Sequence, residues 1–221
     1  MSVSTELLEN VGRGFVLLSL LCAFAVVVDV ARRPQKMWIM NLVWPLTALY
    51  GGPLGLWMYG RIGRRALPGA RRSEKPFWAV ALTGSTHCGA GCAVGDFIGE
   101  WIVFFTGFTL VGSALLGKYA VAFVLAYLFG IFFQYFSIAP MRGLSLWPGL
   151  RAAVKADTLS LVAYEVGMFA WMAVTQIILF PGLAPTSWIF WVMMQVAMVL
   201  GLATTFPVNW WLIKRGVKEA M

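Results

Sequence analysis

Charge is scarce in this chain: Asp, Glu, Lys and Arg make up 12% of 221 residues, about half the share in an ordinary soluble domain. A soluble fold must present much of its surface to water, and a chain that is 60% hydrophobic cannot do so without exposing large apolar areas. Histidine occurs once, at His87, which excludes bis-histidine haem ligation within one chain. Cysteine occurs three times, at Cys22, Cys88 and Cys92, with no Cys-x-x-Cys-His for covalent haem. A bridge between Cys88 and Cys92, four apart on a helix, would be strained, so these read as free thiols or metal ligands. A Gly-rich phosphate loop and a Gly-x-Ser-x-Gly elbow are both missing, and nothing points to an enzyme. The net charge is +8, yet no basic face with interleaved aromatics offers itself to nucleic acid.

What the chain does have is long apolar runs separated by short basic connectors. Six runs approach or exceed the roughly 20 residues that cross a hydrocarbon core, near 12–31, 37–60, 77–108, 119–138, 158–180 and 188–212. The expected fold is therefore all-α: a single-domain, polytopic bundle of about six transmembrane helices. Met1 to Asn10 carries Glu6 and Glu9 and no Lys or Arg, unlike a secretory n-region. Ala23-Phe-Ala25 resembles a cleavage site, but the apolar run continues to Ala31, so the first segment reads as an uncleaved helix.

Lys and Arg accumulate on the cytoplasmic side of membrane proteins. The connector from Arg61 to Lys75 holds Arg61, Arg64, Arg65, Arg71, Arg72 and Lys75, whereas Pro181 to Ser187 has no charge. Six crossings with both termini cytoplasmic put 13 of the 17 Lys and Arg inside and leave Arg32, Arg33, Lys36 and Lys118 outside. The Arg32-Arg33 pair is the feature that disagrees. Trp210 and Trp211, just before Lys214 and Arg215, and Trp188 and Trp191 at the other end of the same segment fit interfacial belts. Trp44-Pro45, Gly51-Gly-Pro53 and Phe206-Pro207 predict irregular helices, with Asn41 and Asn209 nearby to satisfy freed backbone groups.

The third segment carries the chemistry. Cys88, Cys92, Asp96 and Glu100 recur every four residues, a step that advances about 40° around a helix, so they form one slowly winding stripe with His87 alongside. Such groups are costly in hydrocarbon and turn to the bundle interior, where they mark functional sites. Gly91, Gly95 and Gly99 form a small-residue row that admits a close neighbouring helix beside the stripe. Met168 and Met172, and Met194 and Met198, stand four apart on the fifth and sixth segments. Imidazole, thiolate and thioether together are a soft donor set that suits Cu(I). The expected metal residues are thus His87, Cys88, Cys92, Asp96, Glu100, Met168, Met172, Met194 and Met198. Asp157, ahead of Thr158 and Ser160, reads as a helix N-cap; Glu165 could join the internal site; Asp29 pairs with Arg32 and Arg33.

Three stretches resemble a family of bacterial membrane proteins known as domain of unknown function 4396: Ser85 to Asp96 with Glu100, Ala156 to Met172, and Met194 to Glu219. The resemblance implies a multi-helix protein of the bacterial inner membrane and an association with copper-related proteins; it implies no activity. The leading expectation is a membrane protein that binds or transports copper, working in the lipid bilayer as a homodimer and with metal-handling partner proteins. The alternatives are a thiol redox membrane protein built on Cys88 and Cys92, and a structural or assembly subunit built on the glycine row.

Overall fold

The structure, a computed structural model, describes residues 3–65 and 75–219; Arg71 and Arg72 of the basic connector lie outside them. Six helices follow in order, with no named strand among the described residues: α1 (Val3–Arg32), α2 (Met40–Met58), α3 (Phe77–Thr106), α4 (Ala114–Arg142), α5 (Leu146–Val174) and α6 (Trp188–Lys214). π-type turns extend α2 over Tyr59–Gly63 and α5 over Thr175–Leu179. The all-α bundle is as expected, and α1, α3, α4, α5 and α6 are long and apolar enough to cross a membrane. The fifth helix begins a dozen residues earlier than its apolar run, because the basic stretch through Arg151 and Lys155 is helical too, with Pro148 in its first turn.

The second segment departs from the expectation. At Gly52 the backbone turns to φ 53°, ψ −131°, a region closed to side chains with a Cβ. Beyond it the chain runs back along itself. Gly55 lies on the backbone of Thr47 and Ala48, and Gly63 seats on the Trp44 indole. The Trp44 and Tyr59 rings meet at 5.7 Å. Each arm has about a dozen residues and rises only ~18 Å, short of the ~30 Å core of a bilayer. The tip reaches Ser19, partway along α1, where Gln195 of α6 donates to the Leu49 carbonyl at 2.9 Å. Both ends of the hairpin are fixed at the end of α1 that they left. Tyr59 donates to Asp29 at 2.7 Å, the Arg64 guanidinium bonds the same carboxylate, and Arg65 donates to the Pro34 carbonyl. Asn41 accepts from the Gln35 amide and serves no proline-freed group.

With α2 folded back as a hairpin, the ends of the remaining helices alternate differently from the expectation. The amino-terminal part of α1 meets the start of α6, where Glu9 accepts from Ser187 and the Trp188 amide. α6 then runs the length of the bundle to Lys214. The outer ends of α1 and α6 therefore lie at opposite ends of the bundle. The same change resolves the Arg32-Arg33 discrepancy. Among the described residues, Arg32, Arg33, Lys36, Arg61, Arg64, Arg65, Lys75, Arg142, Arg151, Lys155, Lys214, Arg215 and Lys218 gather toward one end; Arg13 and Lys118 lie toward the other.

Packing around α3 is close. Gly91, Gly95 and Gly99 face Gly130, Ala126 and Ala122 of antiparallel α4, so the two backbones touch along three turns. α5 and α6 are knit by hydroxyls: Thr204 donates to the Ala163 carbonyl and Thr205 to that of Ser160, each at 2.7 Å.

Candidate functional site

The interior of the bundle is polar along most of α3, whose residues from Thr83 to Cys92 are all buried. Thr83, Ser85 and Thr86 return their hydroxyl protons to carbonyls of the preceding turn, so they cost little. The larger groups of the stripe have to find partners on other helices, and they do so unequally.

At the basic end, Asp157 of α5 and Lys218, just past α6, form an ion pair at 3.3 Å with both side chains essentially inaccessible. Asp157 lies well inside a helix that starts at Leu146, so it is no N-cap. Lys218 also reaches Ser160 at 3.4 Å. Ser160 donates to Asn209, whose amide donates to Ser85 at 3.0 Å, so α3, α5 and α6 are joined at this level. Asn209 therefore serves side chains, not a carbonyl freed by Pro207. His87 meets Ser137 of α4 at 2.6 Å through Nε2, and its Nδ1 has no partner. Lys218 is an electrostatic neighbour of both His87 and Cys88.

Toward the middle, the Cys88 and Cys92 thiols are neighbours, fully buried and unbridged. Cys88 stands beside Asp157, and Cys92 beside Glu165 of α5. Glu165 is in turn an electrostatic neighbour of Asp96. Both carboxyls are inaccessible; the Cys92 thiol is the hydrogen-bond neighbour of Glu165, and neither Asp96 oxygen has a partner. The unpartnered hydroxyls of Tyr50 and Tyr164 close over this region, meeting above Gly89 where a Cβ would strike both rings' ends. The row ends at Glu100, which pairs with Lys118 of α4 at 3.3 Å; Lys118 also donates to Gln176.

The row thus reads Lys218, Asp157, Cys88, Cys92, Glu165, Asp96, Glu100, Lys118. Its outer carboxyls each hold a lysine, and its inner two have no cationic partner among the described residues. A carboxylate without a cationic partner in such a setting costs several kcal/mol.

Of the nine residues expected to bind metal, the structure brings Cys88 and Cys92 together. It includes them in one core cluster with Met168, Met172, Met194 and Met198. His87 is turned to Ser137, and Asp96 and Glu100 continue along the row away from the thiols. Among the described residues no three His, Cys, Asp or Glu side chains converge on one point. Sequence reasoning passed over Lys218, Lys118, Ser137, Tyr50 and Tyr164. Lys218 read as one more cytoplasmic charge; Glu165, a lone carboxylate in an apolar run, carried a signal of its own.

A family model described as "Domain of unknown function (DUF4396)" matches residues 77–218, which takes in α3 to α6 and the whole row. No curated protein and no solved structure matches the chain.

Proposed function

We propose that this chain, which belongs to the family of domain of unknown function 4396, binds and moves a soft metal ion, Cu(I), through the interior of its bundle. The observation that carries the reading is the pair of adjacent, buried, unbridged thiols of Cys88 and Cys92 inside a core that also holds Met168, Met172, Met194 and Met198. Cu(I) is content with few ligands and prefers sulfur. Two thiolates one turn apart on α3 are the first ligands, and the thioethers of α5 and α6 are transfer ligands toward the opposite end. Thiolate ligation releases protons, and the carboxyls of Glu165 and Asp96 stand next along the row to balance charge. The basic end faces the cytoplasm of a bacterial inner membrane, with the α6 end inside and the amino-terminal end of α1 outside.

The test is metal content by mass spectrometry on protein purified in detergent after growth in added copper. Near-stoichiometric copper in the wild type that is lost in Cys88→Ser/Cys92→Ser supports the reading. No copper in folded wild-type protein with reduced thiols sinks it.

A further inference from the structure

α6 ends at Lys214, and Gly216, at φ 67°, reverses the chain. The Gly216 amide then bonds the Ile213 carbonyl, and the Val217 and Lys218 amides bond that of Leu212. This is a glycine-terminated helix end in which the following residue is steered back onto the helix. The second residue after the glycine is Lys218, and it is driven inward. Its stem runs beside Gly84, with 3.9 Å from Cε to where a Cβ would be, an ordinary contact distance. Its ammonium reaches Asp157 Oδ1 and Ser160. The Cys88 thiol is a further hydrogen-bond neighbour of the Asp157 carboxylate. Glu219 then ties the tail to Arg142 at the end of α4.

A lysine near a helix end in a membrane protein ordinarily extends toward the headgroups and water. Lys218 does the reverse, and Lys214 and Arg215 close by show that outward placement is open at this level: Lys214 lies over the Phe77 and Trp210 rings and Arg215 over Trp211. Neither the burial of an ammonium nor that of Asp157 is favourable alone; each is there because the other is.

We propose that Asp157 and Ser160, beside Cys88, form a cation seat at the basic end of the row, and that Lys218 is its tethered occupant, shielding Cys88 until the tail lifts. The seat rests on the Lys218–Asp157–Ser160 geometry; only the identity of the cation that follows Lys218 rests on the Cu(I) reading. The Arg142–Glu219 contact, at the surface, is the latch.

The test is independent of metal. In a Cys22→Ser, Cys92→Ser background, Cys88 is the one remaining thiol, and a positively charged, membrane-impermeant methanethiosulfonate reagent is applied from the basic end. With Lys218 in place the reaction is slow. Lys218→Ala accelerates it by about tenfold or more, the scale on which an opening of local structure exposes a buried group, and Arg142→Gln accelerates it in the same direction. Because Lys218→Ala leaves Asp157 unpaired, Lys218→Ala/Asp157→Asn removes both charges together and keeps the rate high in a folded protein. Equal Cys88 rates with and without the Lys218 side chain, in folded protein, overturn the proposal. So does a wild-type Lys218 that takes up an amine-reactive label as fast as Lys214.

Discussion

The Tyr59 hydroxyl donates to the Asp29 carboxylate at 2.7 Å across 30 residues of chain, so the segment that leaves α1 returns to the helix it left. This bond, with Arg64 on the same carboxylate, closes the α2 hairpin and leaves five helices long and apolar enough to cross a membrane among the described residues. Single cysteines placed in the 107–113 and 180–187 connectors will react with an impermeant reagent from the face that carries the start of α1. Cysteines in the 143–145 connector and after Lys214 will react from the other face. Labelling of both helix ends, α1 start and α6 finish, from one face would refute the hairpin.

Gly52 is the position on which that hairpin turns. A Cβ there meets Ser19 Oγ at 2.9 Å as well as an unfavourable backbone conformation. Gly52→Ala is expected to cost ~1–3 kcal/mol, whereas Gly51→Ala, with open space around it, leaves stability unchanged. Unfolding midpoints in mixed detergent separate the two; equal midpoints would place the turn elsewhere.

Gly95 has the least room of the α3 row, since its Cβ would enter the backbone of Ala126. Gly95→Val must push α4 off α3 and is expected to lose ~1–3 kcal/mol or more. Gly60→Val, with no neighbour within reach, serves as the comparison. A melting temperature unchanged by Gly95→Val would mean that the two helices are not in backbone contact.

Gln134 on α4 is inaccessible, and neither end of its amide has a partner. Replacing an unmatched buried amide by an apolar side chain of similar size removes a desolvation penalty of ~1–3 kcal/mol. Gln134→Leu is therefore expected to hold or raise the melting temperature, and Asp157→Leu, which strands Lys218, to lower it. A loss of stability in Gln134→Leu would show that the amide is engaged.

Much of the interior could be read from the chain. The four-residue rhythm of Cys88, Cys92, Asp96 and Glu100 gave the buried stripe, and Gly91, Gly95 and Gly99 gave the contact with a neighbour, which proves to be α4. The hairpin was harder, because a run of 24 apolar residues satisfies the length of a crossing whether it continues or doubles back. Gly51-Gly52-Pro53 permits a kink and a reversal equally well. The clue was Arg32-Arg33, on the wrong side in a six-crossing scheme and on the basic side once α2 turns back. Asp157 looked like a cap because Thr158 and Ser160 follow it, and only the helical start at Leu146 shows that it lies inside. Nothing local marks Lys218, since its place depends on Gly216 and on a carboxylate 61 residues earlier.

The central claim is sulfur ligation of Cu(I) at Cys88 and Cys92, and X-ray absorption at the copper edge of anaerobically loaded protein tests it most directly. The account predicts a first shell of sulfur alone, lost in Cys88→Ser/Cys92→Ser. A first shell of nitrogen and oxygen, or an unchanged spectrum in that variant, would contradict it.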